Sequence, residues 1–139
     1  MGRKSVEVPT GITPFAKLLG IEGIGDLNTA AKTYVVEAIP ANAVANFFGT
    51  VHGGYLQGVL DGSAGMLIFL LNGTNSAITI EAEPVQMCRA PRLNQPLIFT
   101  LRVTEEDETD ITVIGQVHNA AGTLVAHNSS KWKKRARRR

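Results

Sequence analysis

A chain of 139 residues, 44% hydrophobic and 19% charged, has the size and composition of one folded domain with a sizeable core and is not a disordered polymer. The formal charge of +2 conceals an asymmetry: Lys131 to Arg139 holds seven of the 14 basic residues, while the rest carries seven basic against 12 acidic groups, net −5. A mildly acidic body excludes a domain whose whole surface binds nucleic acid, and the lone Cys88 excludes an intrachain disulfide and suits a reducing, cytoplasmic setting.

In chain order, residues 1–12 are polar and read as a flexible arm without the apolar core of a signal peptide. Thr13 and Pro14 are an N-cap and first helical residue for Phe15-Ala16-Lys17-Leu18-Leu19, stopped at Gly20. Residues 21–28 and 31–39 read as strands around Asn28-Thr29-Ala30, and Pro40 ends the second. A connection over 40–51 leads into a long apolar helix from Gly53 to Leu71, ended by Asn72-Gly73. Ser76–Ala90, Gln95–Glu105, Thr109–Asn119 and Thr123–Lys133 read as four further strands. Alternation is clear in Thr100-Leu101-Arg102-Val103 and Ile111-Thr112-Val113-Ile114. The fold class is therefore α+β, a curled antiparallel sheet around one central helix. The domain spans 13–133, and 134–139 form a basic tail.

The helix raises the chemical question. It is too short and glycine-rich for a membrane span, and a buried core helix is the expectation. Its one ionisable residue is Asp61, and a carboxylate buried alone is costly. At 100° per residue, Gly54, Gly58, Gly62 and Gly65 lie within about 80° of one another, with Asp61 beside them. Glycines on one helix face allow either close packing or the approach of a ligand; packing alone has no need of a carboxylate.

At the other end of the stretch, Asn46-Phe47-Phe48-Gly49-Thr50-Val51-His52-Gly53-Gly54 leads into the helix. The first amides of a helix lack internal partners and sit at its positive dipole end. With Gly53 and Gly54 there, no side chain covers them, so they can receive an oxyanion. Asn46 can add a donor or orient a water. An oxyanion site and a carboxylate are two parts of an acyl-hydrolysis site. Gly53 and Asp61 are eight residues apart, about 12 Å along one helix. One subunit cannot bring both to one carbonyl, whereas two antiparallel helices from two subunits can.

Asn46-x-x-Gly49-x-x-His52-Gly53-Gly54 followed by Asp61 resembles the signature of hotdog-fold acyl-CoA thioesterases of the phenylacetate-degradation (PaaI-like) type. The resemblance covers residues 13–133, including the order of two strands, central helix and four strands. It implies a hotdog fold, a homodimer or homotetramer, and acyl-CoA hydrolysis at the dimer interface without metal or cofactor. It implies that the Gly53 amide stabilises the oxyanion and that Asn46 positions thioester or water. Asp61 of the other subunit would act as general base or nucleophile. Thr79, 18 residues after Asp61, would hold the water or carboxylate, and His52 would tether the loop. Gly54, Phe48 and Tyr55 would line the substrate site. Gln86 and Asn94-Gln95 replace an aromatic and a glycine common in the family. Met66 replaces the histidine that hydratases of the fold place five residues after their aspartate, which disfavours hydration chemistry.

Arg89 and Arg92 flank a turn, either as solvated charge or as contacts to coenzyme A phosphates. His118 and His127 fall on separate strands without ligand spacing, so no metal site is expected. The basic tail is either a solubilising end or a patch for anions; nucleic acid is not the expected partner. A hotdog module that binds acyl-CoA without cleaving it is the rival class.

Overall fold

Two long strands carry the period-two pattern furthest and form the middle of the sheet. The computed structural model describes residues 5–10, 13–21, 23–73 and 76–135, less the side chains of residues 76, 78, 79 and 135. Its elements are β1 (Ser5–Pro9), α1 (Pro14–Leu18), β2 (Ile24–Asn28), β3 (Thr33–Ala38), α2 (Gly53–Asn72), β4 (Ser76–Ala82), β5 (Gln86–Met87), β6 (Leu97–Glu106), β7 (Asp110–Asn119) and β8 (Leu124–Arg135). The strand order is β1-β2-β3-β6-β7-β8-β4, antiparallel at every pairing, with β5 also on β8. Leu97, Phe99 and Leu101 of β6 and Ile111, Val113 and Val117 of β7 are buried against the helix side, and Arg102 and Gln116 face out. One antiparallel sheet with one long helix across it is the hotdog arrangement expected from the chain order.

α2 is 20 residues long and apolar enough in length and composition to cross a membrane, with a mean hydropathy of 1.3. Its packing is that of a core helix: Leu56, Val59, Leu60, Ala64, Leu67 and Ile68 are buried. Gly115 on β7 is where the helix seats. A Cβ there would lie 2.7 Å from Leu60 Cδ2 and 2.7 Å from Asn128 Oδ1, so a side chain would have to displace those two.

Three boundaries differ from the sequence reading. Five residues of the expected arm, Ser5–Pro9, pair with β2, with Val8 turned into the core; one apolar residue on an edge strand is a weak signal by itself. Residues 1–4 and 136–139 lie outside the described residues. The single strand expected over Ser76–Ala90 breaks after Ala82, where Pro84 cannot donate to a ladder, and resumes as β5. The last strand runs two residues further than expected, to Arg135, because Ser76 and Ala77 pair with its end.

Candidate active site at the head of the central helix

The loop before α2 is held by one side chain. Asn46 Oδ1 accepts hydrogen bonds from the Phe48 amide at 2.9 Å and the Thr50 amide at 3.0 Å. Its Nδ2 donates to Thr50 Oγ1 at 2.8 Å, and the Asn46 amide donates to Thr50 O at 2.8 Å. Gly49 turns the loop at φ 78°, a conformation costly for other residues. Asn46 thus builds the loop, with its acceptor used twice and one Nδ2 proton committed. Thr50, its partner, was not singled out in the sequence, because the pairing shows only once the loop has closed.

His52 is the N-cap of α2. Its Nδ1 accepts from the Gly54 amide at 2.8 Å, which puts the ring proton on Nε2. The His52 carbonyl accepts from the amides of Tyr55 at 3.0 Å and Leu56 at 3.5 Å. Of the four orphan donors at the helix start, the amides of residues 52–55, three are satisfied: His52 donates to Val44 O at 2.8 Å, Gly54 to the ring and Tyr55 to the cap carbonyl. Among the described residues, only the Gly53 amide at this helix start has no partner. The two glycines have separate reasons. A Cβ on Gly54 would sit 2.9 Å from His52 Nδ1 and displace the cap, whereas Gly53 has open space around it. His52→Ala is expected to lower stability by about 1 kcal/mol, measured as a fall in the thermal midpoint. His52→Asn, which retains a capping acceptor, is expected to recover most of it.

Asp61 is half-buried, two turns further along α2. The glycine face beside it divides. A Cβ on Gly58 would lie 3.2 Å from Phe15 Cζ and Leu19 Cδ1, and one on Gly65 would lie 3.2 Å from Trp132 Cη2. Those two glycines admit α1 and β8. Gly62 meets nothing within 4 Å and is exposed, as is Phe69 on the same side at 55%. Phe47 and Phe48, in T-shaped contact at 5.9 Å, are 98% and 86% exposed at the tip of the loop.

The turn carrying Arg89 and Arg92 reaches the head of α2. The Val51 amide donates to Pro91 O at 3.4 Å, and both arginines line an open cleft with Gln95 and Asn119. The fold thus ties the turn that carries both arginines to Val51, the residue before the helix cap. Tyr55, expected at the substrate, is buried at 4% exposure. Burial pushes its hydroxyl up to about 12, so it is a neutral phenol and no base. Thr79 lies on β4 in register with Trp132; its side chain lies outside the described residues. His118 and His127 belong to no cluster of three metal-ligating residues among the described residues.

The fold has clear relatives among solved structures. The PaaI protein of the E. coli phenylacetic acid degradation operon superposes with a TM-score of 0.76 at 18% identity, over 90% of this chain and 86% of that one. A hypothetical thioesterase of Streptococcus pneumoniae TIGR4, solved with coenzyme A, gives 0.70 at 20%, over 77% and 84%. A phenylacetic acid degradation-related protein of Ralstonia eutropha JMP134 gives 0.75 at 23%, over 88% and 93%. The chain has the hotdog fold of the PaaI-like thioesterases. No family model matches the sequence, and no curated protein matches it. Within the hotdog frame, the Asn46 loop, the capped helix start and the arginine turn meet at one end of α2. Asp61 stands apart from them on the same helix.

Proposed function

We propose that this hotdog protein is an acyl-CoA thioesterase whose active site is shared between two subunits. The observation that carries the reading is the Gly53 amide, left unpaired when His52 takes Gly54 and its carbonyl takes the next two amides. A donor held at a helix N-terminus and aimed at no protein acceptor is poised for a developing oxyanion.

In the proposed reaction, the thioester carbonyl oxygen accepts from Gly53 N–H. The carboxylate of Asp61 from the other subunit either deprotonates a water that attacks the carbonyl carbon or attacks it directly. The tetrahedral intermediate collapses, the C–S bond breaks, and the thiolate takes up a proton, leaving free acid and coenzyme A. In the direct route, water then hydrolyses the acyl-aspartyl anhydride. Thr79 is proposed to hold the water or the carboxylate. Arg89 and Arg92 are proposed to bind coenzyme A phosphates, which agrees with the coenzyme A in the Streptococcus pneumoniae thioesterase structure.

The geometry of one chain supports the proposed dimer. Gly53 and Asp61 are eight residues apart on one rigid helix, about 12 Å. Gly62 and Phe69 leave a face of α2 uncovered, Ile80 on the sheet-edge strand β4 is 48% exposed, and Phe47 and Phe48 project freely. An antiparallel partner would cover that face and bring each Asp61 towards the other Gly53. The test is a panel of aliphatic and aromatic acyl-CoAs with detection of released thiol. Release from at least one class is expected. Tight binding of every member with no thiol released would overturn the reading in favour of a binding protein.

A further inference from the structure

Gln57 lies midway along the stretch of α2 between the free amide and the carboxylate, four residues after Gly53 and four before Asp61. Four residues advance an α-helix by one turn and about 40°, so the three share one slightly inclined stripe. Gly53 is exposed, and Gln57 and Asp61 are half-buried. The stripe is not the one that seats the helix. Leu56, Val59 and Ser63, all buried, lie about 100° or more round from Gln57. On the other side of the stripe, Trp132 of β8 reaches Gly65, and β4, paired with β8 at Trp132, is the last strand of the sheet. The stripe thus borders the open edge of the sheet.

Among the described residues the Gln57 carboxamide has no hydrogen-bond partner. It keeps two N–H donors and a carbonyl acceptor for a group that approaches from outside the chain. In a two-fold pair of antiparallel helices, residue i faces residue j and residue j faces residue i. Asp61 opposite the partner's Gly53 therefore fixes every other facing pair. One turn inward from Asp61 on one helix, and one turn inward from Gly53 on the other, both arrive at position 57. A residue on the two-fold axis meets its own copy. A lysine or a glutamate there is set against a like charge, whereas a carboxamide is self-complementary, because it donates and accepts.

We infer that Gln57 stands on the two-fold axis of the dimer and exchanges a reciprocal pair of amide hydrogen bonds with the partner's Gln57, and that this pair sets the register in which each Asp61 meets the partner's Gly53. The inference rests on the thioesterase reading, which supplies the register, and deepens it by naming the contact that holds the two half-sites in line. Nε2–H of each side chain donates to Oε1 of the other. The pair is one turn, about 6 Å along the axis, from both half-sites. Gln57 touches no reacting atom; it is a positioning residue. A slide of one helix past the other by a single residue, about 1.5 Å, parts the two amides and displaces both carboxylates from their oxyanion donors together.

The experiment is charge complementation across the axis. Gln57→Glu and Gln57→Lys are prepared separately, one of them isotopically labelled, and mixed in equal amounts. Native mass spectrometry after subunit exchange gives the share of heterodimer, and the acyl-CoA panel gives turnover. Each variant alone sets a charge against its copy and is expected to associate about tenfold or more weakly than the wild type. Random exchange gives about half heterodimer. A share well above that is expected, with turnover in the mixture above that of either variant. A heterodimer share at or below the random value would overturn the inference, because a role confined to one chain cannot be complemented by another. Where a thermal melt shows either charged variant unfolded, Gln57→Cys on a Cys88→Ala background decides. Oxidation is expected to link two chains through position 57, and chains that stay unlinked overturn the pair. Thiol release by the wild type without complementation removes the axis contact and leaves the thioesterase reading standing. Complementation without thiol from any substrate sinks the thioesterase reading and keeps the pair.

Discussion

Asp61→Ala is expected to lower kcat by about 10²–10⁴-fold, the range for loss of a positioned general base. The protein should remain folded and oligomeric. Asp61 is on the half-buried side of α2, away from the leucines that seat the helix on the sheet. Removing its charge therefore takes nothing from the hydrophobic core. Size-exclusion chromatography and thermal melts alongside the turnover assay separate the two effects. Turnover within a fewfold of wild type in a folded Asp61→Ala oligomer would exclude Asp61 from the chemistry. Asp61→Asn does not distinguish base from nucleophile, because the amide can perform neither role.

The second large effect is expected from Gly53→Pro, which removes one hydrogen atom's worth of chemistry. Proline lacks the N–H and is well tolerated at the first position of a helix. Gly53 occupies that position, and a Cβ there meets nothing within 4 Å. The residue before a proline must be extended, and His52 already is, at φ −64° and ψ 133°. The variant should fold with near-native stability and lose about 10²–10³-fold in kcat, the usual effect of deleting one oxyanion donor. Mixing the two inactive variants provides the test of a shared site. A heterodimer of Asp61→Ala with Gly53→Pro regenerates one intact pair, the Asp61 of one chain with the Gly53 of the other. Random exchange at equal ratio should restore about a quarter of the wild-type sites. No recovery after subunit exchange, measured by following the heterodimer directly, would confine the site to one chain.

Both variants depend on details that were unequally visible in the sequence. The start of α2 at Gly53 and its end near Asn72 were legible from an apolar run bounded by His-Gly-Gly and Asn-Gly. The strand pairs β6–β7 and β7–β8 were legible from alternation and turn residues, because both signals are local. The cap was not. Histidine is outside the usual N-cap residues, so that its imidazole takes the Gly54 amide was not a pattern the sequence offered. Nor was it legible that Gly58 and Gly65 are packing glycines for Phe15, Leu19 and Trp132 while Gly62 stays open. Those contacts join segments more than 35 residues apart in sequence, and no local pattern encodes which segment arrives where.

The sequence alone determined that one carboxylate and one bare pair of glycines lie eight residues apart on a single helix. A rigid α-helix then fixes their separation before any tertiary contact is known, and the proposed chemistry needs two half-sites because of it. Only the tertiary structure decided which amide is left unpaired, and that the turn bearing Arg89 and Arg92 is tied to the helix head by Val51 and Pro91. It also decided that Phe15 and Leu19 pack over Gly58 of α2. Helical geometry follows from neighbours along the chain. Capping, docking of a distant turn and packing over a glycine depend on where the folded chain brings remote segments together.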